Sequence, residues 1–526
     1  MPTLPQQPAE FHVFDTSLRD GAQQEGLHLS VPDKLKIAGY LDELGVTFIE
    51  GGWPGANPAD TEFFRLAKDL GLKNSKLVAF GATRKAGAKA SEDALTQALV
   101  DAGTDYICIV AKSHEDHVRR ALRTTLEENL EMITDTVTFL RSQGKRVFVD
   151  AEHFFDGYRA HPEYAIKVVQ TAHDAGAEVV VLCDTNGGML PSWIGDIVRA
   201  AAETGANLGV HVHNDTSCAV ANTVAAVEAG VMHIQGTFNG YGERTGNADL
   251  SAVIPNLQLK FGWQVLPPEQ LAELTRVAHA IALVAHQPLL GRQPYVGQSS
   301  FAHKAGLHAS AIKVDENLYQ HIDPALVGND MRMLISDMAG RANIQIKGEQ
   351  LGFDLNDREL AARITEVVKA RESEGYSYES ADASFEMLLR DQLDVLELPF
   401  TVDSWRVFTE ERDGTNISEA TVKLTAKDAR QMVVGEGNGP VNALDGALRA
   451  ALIPAYPQVA DFELTDYRVR ILDEGYGTDA TVRTLIDTSF DGHTWTTVGV
   501  GTNVIEASWE ALSDALAYGI ITKLAD

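Results

Sequence analysis

The stretch FHVFDTSLRDG, Phe11 to Gly21, opens as an apolar, β-prone run and closes by setting Arg19 and Asp20 side by side before a glycine. A turn needs the aspartate and the glycine, but not an arginine beside the carboxylate. No glycine-rich phosphate loop succeeds this first strand, which weighs against an open dinucleotide-binding sheet. A regular rhythm sets in instead. The runs TFIEGG, KLVAFG, YICIVA, RVFVDA, VVVLCDT, LGVHVH and HIQGTF succeed FHVFDT, and helical patterns such as VPDKLKIAGYLDELG and SWIGDIVRAAAETG lie between them. Eight strands, each followed by a helix over about 250 residues, predict an α/β fold of the (β/α)8 TIM-barrel type.

In such a barrel the chemistry sits at the C-terminal ends of the strands. Polar groups gather there in this sequence. Arg19 and Asp20 follow strand one, Glu50 ends strand two, and Glu152 with His153 ends strand five. Asp184 and Thr185 end strand six. His211 and His213 lie on strand seven with Asn214 and Asp215 after it, and Asn239, Glu243, Arg244 and Asn247 follow strand eight. His211 and His213 are two apart on a strand, so their rings point to one side. Asp20 joins them from strand one, with only strand eight between. One carboxylate and two imidazoles form a half-open shell for a divalent cation, with positions left for water or a chelating substrate. Alone, an HxH pair would be two polar residues in a strand; Asp20 and the acidic rim give it a ligand reading. Arg19 needs a carboxylate, and Glu50 on the adjacent strand is in reach. Held beside a metal, Arg19 would make a pocket for a developing negative oxygen. The alternative is a structural pair tying two loops.

At 526 residues the chain is too long for one core, and it reads as a barrel (1–266), a helical subdomain (267–395) and a C-terminal α+β domain (396–526). The helical part holds FAHKAGLHAS, where His303 and His308 have no ligand company and read as acid–base groups. The last part alternates again in SWRVFTEER, EATVKLTA, YRVRILDEG and ATVRTLIDT. There VGEGNGPVNALDGAL and VGVGTNVIEASWEAL share a frame, which predicts two pseudo-symmetric halves. Their glycine loops, GEGNGP and GVGTN, could cradle a carboxylate with backbone N–H groups.

A net charge of −30 without any basic run excludes nucleic acid and anionic membranes as natural partners. Cys108, Cys183 and Cys218 are far apart, and the first two read as small core residues, so no disulfide framework is expected. The N-terminus lacks a leader pattern and no apolar run reaches membrane length, so a cytoplasmic protein is expected.

Taken together, SLRDG, the glutamate of FIEGG, HVHND and GERTGN resemble the DRE-TIM metallolyases, the family of 2-isopropylmalate, homocitrate and citramalate synthases and of 3-hydroxy-3-methylglutaryl-CoA lyase. EGGWPGANPAD, DAEHFFDGY, VLCDTNGG, FAHKAGLHASA and EGNGPVNALDGAL are similar to the citramalate synthase branch, and the likeness runs along almost the whole chain. The resemblance implies a divalent metal (Mg²⁺ or Mn²⁺, with Zn²⁺ also suited) on Asp20, His211 and His213, with Asn247 as a fourth candidate. It implies that Arg19 polarises a keto oxygen, that Glu50 orients it, and that Glu152 faces the acetyl group or the oxoacid. Gln23 and Thr185 would hold the oxoacid with Arg19. His308 and Tyr319 match the family's catalytic histidine and tyrosine. The implied reaction is a Claisen condensation of acetyl-CoA with pyruvate giving (R)-citramalate and CoA, in isoleucine biosynthesis. The C-terminal domain would then bind a feedback amino acid such as isoleucine, and a homodimer is implied. The alternatives are the same reaction on another 2-oxoacid, a metal-dependent lyase or aldolase, and a non-catalytic amino-acid sensor. The lyases carry a cysteine in the loop after strand eight, and FNGYGERTGN has none. A sensor would have no use for Arg19, Asp20, Glu50, His211 and His213.

Overall fold

The computed structural model describes residues 5–336, 340–472 and 480–524. The chain divides into two compact units, Met1–Phe301 with Ile322–Asp330, and Ala302–His321 with Met331–Asp526.

The first unit contains the expected barrel. Strands β1 (His12–Asp15), β2 (Phe48–Gly52), β3 (Lys76–Ala82), β4 (Tyr106–Lys112), β5 (Arg146–Glu152), β6 (Val179–Asp184), β7 (Leu208–Val212) and β8 (His233–Gly236) pair in parallel and in sequence order. Pairing of β1 with both β2 and β8 closes the ring. All eight runs picked from the sequence coincide with these strands. The helices between them start and stop for local reasons. Val31–Leu44 begins at a capping box, in which Ser30 and Asp33 exchange hydrogen bonds, and ends where Gly45 takes φ 86°. It buries Ile37, Leu41 and Leu44 against the strands. Pro191–Ala202 does the same with Ile194, Ile197 and Val198. Outward residues of the strands, such as Ile49, Ile107, Val149, Leu182 and Val210, meet these helices in one large apolar layer. Inward residues fill the barrel, as the alternation of strand side chains requires.

The second unit starts with two short paired strands, β9 (Ala302–His303) and β10 (Arg332–Met333). Helices Arg341–Gln350, Arg358–Ser373 and Asp382–Gln392 come next. Two antiparallel sheets complete it: β11 (Phe400–Arg412), β12 (Thr415–Ala426) and β13 (Ala429–Gly437), then β14 (Glu463–Ile471), β15 (Val482–Phe490) and β16 (His493–Gly501). Each sheet is followed by a helix, Pro440–Leu452 or Val504–Lys523. The repeat seen in the sequence is therefore a β-β-β-α unit built twice. The end of YRVRILDEG, from Asp473, lies outside the described residues. The third strand of each sheet was hidden, because VVGEG and VGVG look like loops.

The glycines of those strands have a packing reason. A Cβ on Gly435 would lie 2.6 Å from Ala447 N, and one on Gly499 would lie 2.1 Å from Ala507 O. Gly437 and Gly501 meet the first turns of the same helices at Ala443 N (2.6 Å) and Ala507 N (2.9 Å). Gly499, Gly501 and Ala507 each stand 64 residues after Gly435, Gly437 and Ala443. These glycines let each helix lie directly on its sheet. Gly499→Ala should therefore cost about 1–3 kcal/mol by overpacking. Gly446→Ala, in a helix with open space around it, should be neutral or stabilising by up to about 1 kcal/mol. Urea midpoints of the two variants check the pair; equal midpoints would remove the packing explanation.

Candidate active site

The barrel interior is stacked in layers. Phe14, Phe48, Tyr106 and Phe148 close the floor, and the His233 ring packs among them, 5.2 Å from both Phe14 and Phe148. Two residues further along β2, β5 and β8 come Glu50, Asp150 and Gln235, and His211 joins this layer from β7. Another two residues on, Glu152 and His213 reach the mouth. All but Glu152 are buried.

A cavity of about 280 Å³ opens on this stack. Of the residues singled out in the sequence, Arg19, Asp20, Gln23, Glu152, Thr185, His211, His213, Glu243 and Arg244 line it. Glu50 lies behind Arg19, whose Nε donates to Glu50 Oε2 at 2.5 Å. Asn247 lies beside His213, paired with it across one antiparallel bridge. His308 and Tyr319 belong to the second unit, where their rings stack with centroids 4.2 Å apart. The cavity also takes in Trp53, Phe80, Asp150 and Cys183. Cys183 is thus a wall residue and not only core filling.

Asp20 uses its two oxygens differently. Oδ1 lies 3.4 Å from Arg19 Nη1, while Oδ2 lies 3.1 Å from His211 Nε2 and 3.7 Å from His213 Nε2. The two imidazole Nε2 atoms are 3.4 Å apart. Burial opposes the charge on Asp20, but Arg19 and the imidazoles outweigh it and hold the carboxyl well below its usual range. His213 goes the other way: burial, with His211 beside it, pushes it down to about 4. Burial also pushes Glu50 and Asp150 up, against the pull of nearby cationic groups. The guanidinium of Arg19 sits over Phe80, its Cζ 3.8 Å from the ring centroid.

At the rim, Lys112 and Glu152 are register partners on β4 and β5, and Lys112 Nζ pairs with Glu152 Oε2. Thr185 Oγ1 accepts from His153 N at 2.9 Å, which leaves the hydroxyl proton free to donate into the cavity. Arg244 donates to Asp215 and to Thr185 O, tying the loops after β6, β7 and β8.

The donor set suits a divalent cation. Asp20, His211 and His213 present ligand atoms that all lie within 4.8 Å of one another. Asn247 adds a carbonyl oxygen: its Nδ2 donates to Tyr241 O at 3.1 Å, and its buried Oδ1 has no partner among the described residues. An acceptor left bare at 2% exposure calls for a donor or an ion.

The sequence reading missed Asp150, Gln235 and Lys112. A signal was there: counting inward positions in RVFVDAE gives Phe148, Asp150 and Glu152, and counting in HIQG gives His233 and Gln235.

A closed (β/α)8 barrel with one carboxylate and two imidazoles at ligand distance, an arginine beside them, and all of it at the C-terminal strand ends, defines a barrel enzyme with a buried candidate metal site. Residues 10–281 match the HMGL-like family, 295–375 the homocitrate synthase post-HMGL domain-like family, and 379–520 the LeuA allosteric (dimerisation) domain. An (R)-citramalate synthase of Streptomyces coelicolor is 61% identical, over 97% of this chain and 97% of that one. Another from Aquifex aeolicus is 47% identical over 97% and 98%. A 2-isopropylmalate synthase of Lysinibacillus sphaericus is 29% identical over 97% and 98%. The chain belongs to the HMGL-like family, the DRE-TIM metallolyases, and within it to the citramalate synthase branch. Among the described residues no helix is long and apolar enough to cross a membrane.

Proposed function

We propose that this enzyme condenses acetyl-CoA with pyruvate and water to give (R)-citramalate and CoA, as a cytoplasmic step toward isoleucine. The observation that carries the reading is the meeting of Arg19 with the Asp20, His211 and His213 cluster in one small cavity, in a chain matched end to end by (R)-citramalate synthases.

Asp20, His211, His213 and Asn247 would hold a Mg²⁺, Mn²⁺ or Zn²⁺ ion, which when bound would supply Lewis acidity toward a 2-oxoacid. The chain's own groups do the rest. Arg19, with Nε spent on Glu50, turns its remaining N–H groups toward the keto oxygen and neutralises the negative charge that grows there. Glu50 keeps that guanidinium from rotating. The Thr185 hydroxyl and Gln23 hold the oxoacid carboxylate, and Glu152, restrained by Lys112, faces the acetyl group or the oxoacid. His308, with Tyr319 against its ring, takes a methyl proton from acetyl-CoA, directly or through water. The enolate carbon then bonds to the ketone carbon, and water releases CoA by cleaving the thioester. We assign 396–526 to regulation and dimerisation, in keeping with the LeuA domain match, and isoleucine as the feedback ligand.

The test is thiol release from acetyl-CoA with a panel of 2-oxoacids, with and without EDTA, and with added isoleucine. Pyruvate should be preferred, EDTA should stop release, and isoleucine should lower it. Preference for 2-oxoisovalerate or 2-oxoglutarate would move the substrate assignment; no release with any oxoacid and resupplied metal would end the condensation reading.

A further inference from the structure

The buried amide of Gln235 connects two groups that never meet. Its Nε2 donates to Asp150 Oδ1 at 3.0 Å, and its Oε1 lies 2.9 Å from His211 Nδ1. Gln235 is fully buried, and β7 and β8 pair in a register that sets His211 directly opposite it. An amide has one donating and one accepting end. Asp150 offers oxygen, and the Cys108 thiol also hydrogen-bonds it, so the donating end of Gln235 belongs there. The oxygen end is left against His211, and an oxygen can only accept. A neutral His211 ring would then carry its proton on Nδ1; Nε2 faces Asp20 Oδ2, which likewise accepts, so a cation binding there would displace a proton from Nε2 and leave the one on Nδ1. His213 has no such partner: its Nδ1 is buried without a hydrogen bond among the described residues.

We propose that Gln235, oriented by Asp150, is a positioning residue that fixes the tautomer of His211 and presents its Nε2 lone pair to the divalent cation. The proposal rests on the metal reading of the Asp20 cluster. It makes the two imidazoles unequal. His211 is held at Nδ1 by Gln235 whether or not an ion is bound, whereas His213 Nδ1 has no such hold among the described residues. A partner that fixes the tautomer and ring orientation of a ligand histidine is worth about 10–100-fold in metal affinity. The competing view is that Gln235 only fills space above the floor.

The experiment uses the full chain, stripped of metal and titrated with Mn²⁺ by calorimetry, as wild type, Gln235→Leu and Gln235→Glu, with melting curves to show that each variant is folded. Leucine keeps the bulk and removes the acceptor, so affinity should fall about 10–100-fold. Glutamate keeps an acceptor opposite Nδ1 and should recover most of it. In the wild type loaded with Zn²⁺, ¹⁵N-labelled histidine should show a protected ring N–H on Nδ1 of His211. Wild-type affinity in Gln235→Leu, equal losses in both variants, or an Nε2–H on His211 in the loaded wild type would each overturn the proposal. If the wild type binds no divalent ion at all, the metal reading itself fails and the relay with it.

Discussion

Asp20→Ala is expected to remove chelator-sensitive turnover while leaving the barrel folded. Asp20 brings the only carboxylate to the cluster, and its Oδ2 lies between the two Nε2 atoms. Without it, two imidazoles remain beside Arg19, whose positive charge repels an incoming cation. Metal affinity should fall by more than the ~10–100-fold that loss of an outer partner costs. A Lewis acid is worth several kcal/mol of transition-state stabilisation, so at about 1.4 kcal/mol per decade the rate should fall by about 10³-fold or more. Stability should change little. The Asp20 side chain caps no helix, and Arg19 keeps Glu50. Mn²⁺ calorimetry, steady-state rates and a melting curve check this together. EDTA-sensitive activity near wild type in Asp20→Ala would take Asp20 out of the metal site.

Arg19→Lys is expected to lower kcat about 10²–10³-fold, the loss seen when one preorganised donor to a developing oxyanion is removed. The guanidinium makes three contacts at once: Nε to Glu50, Nη1 toward Asp20 and Cζ over the Phe80 ring. A lysine ammonium is a point charge that can serve one of these and has no planar face. It can still reach Glu50, so that buried carboxylate is not left alone and the melting temperature should move only a few degrees. That separates the variant from Arg19→Ala, which would strand Glu50 at 0% exposure and cost about 3–5 kcal/mol. A rate for Arg19→Lys within a few-fold of wild type would sink the oxyanion role.

The barrel was legible because its signal is local. Each strand is a short apolar run, each helix carries its own start and stop, and eight repetitions leave little room for another fold. The Asp20, His211 and His213 cluster was legible in part for the same reason. HxH places two rings on one side whatever the rest of the chain does, and Asp20 needed only the strand order of a closed barrel. The relay through Gln235 was not legible in that way. Asp150 and Gln235 are 85 residues apart, and their contact depends on how far each strand is slid against its neighbours, which alternation alone does not reveal. The Lys112–Glu152 pair depends on register too. In the second unit the alternation was broken by Gly435 and Gly499. Those residues serve the helix above the strand, so two strands looked like loops and the glycines looked like a ligand cradle.

Phe14, Phe48, Tyr106 and Phe148 pack in one buried cluster at the floor of the barrel, and the cavity lies beyond them at the C-terminal strand ends. For the proposed reaction this imposes a queue. The small oxoacid, seated at the depth of Arg19 and Asp20, must enter before the long thioester covers it, and CoA must depart before the new hydroxyacid can. The kinetic order of the enzyme would then be a matter of plumbing, set by four aromatic rings that touch neither substrate.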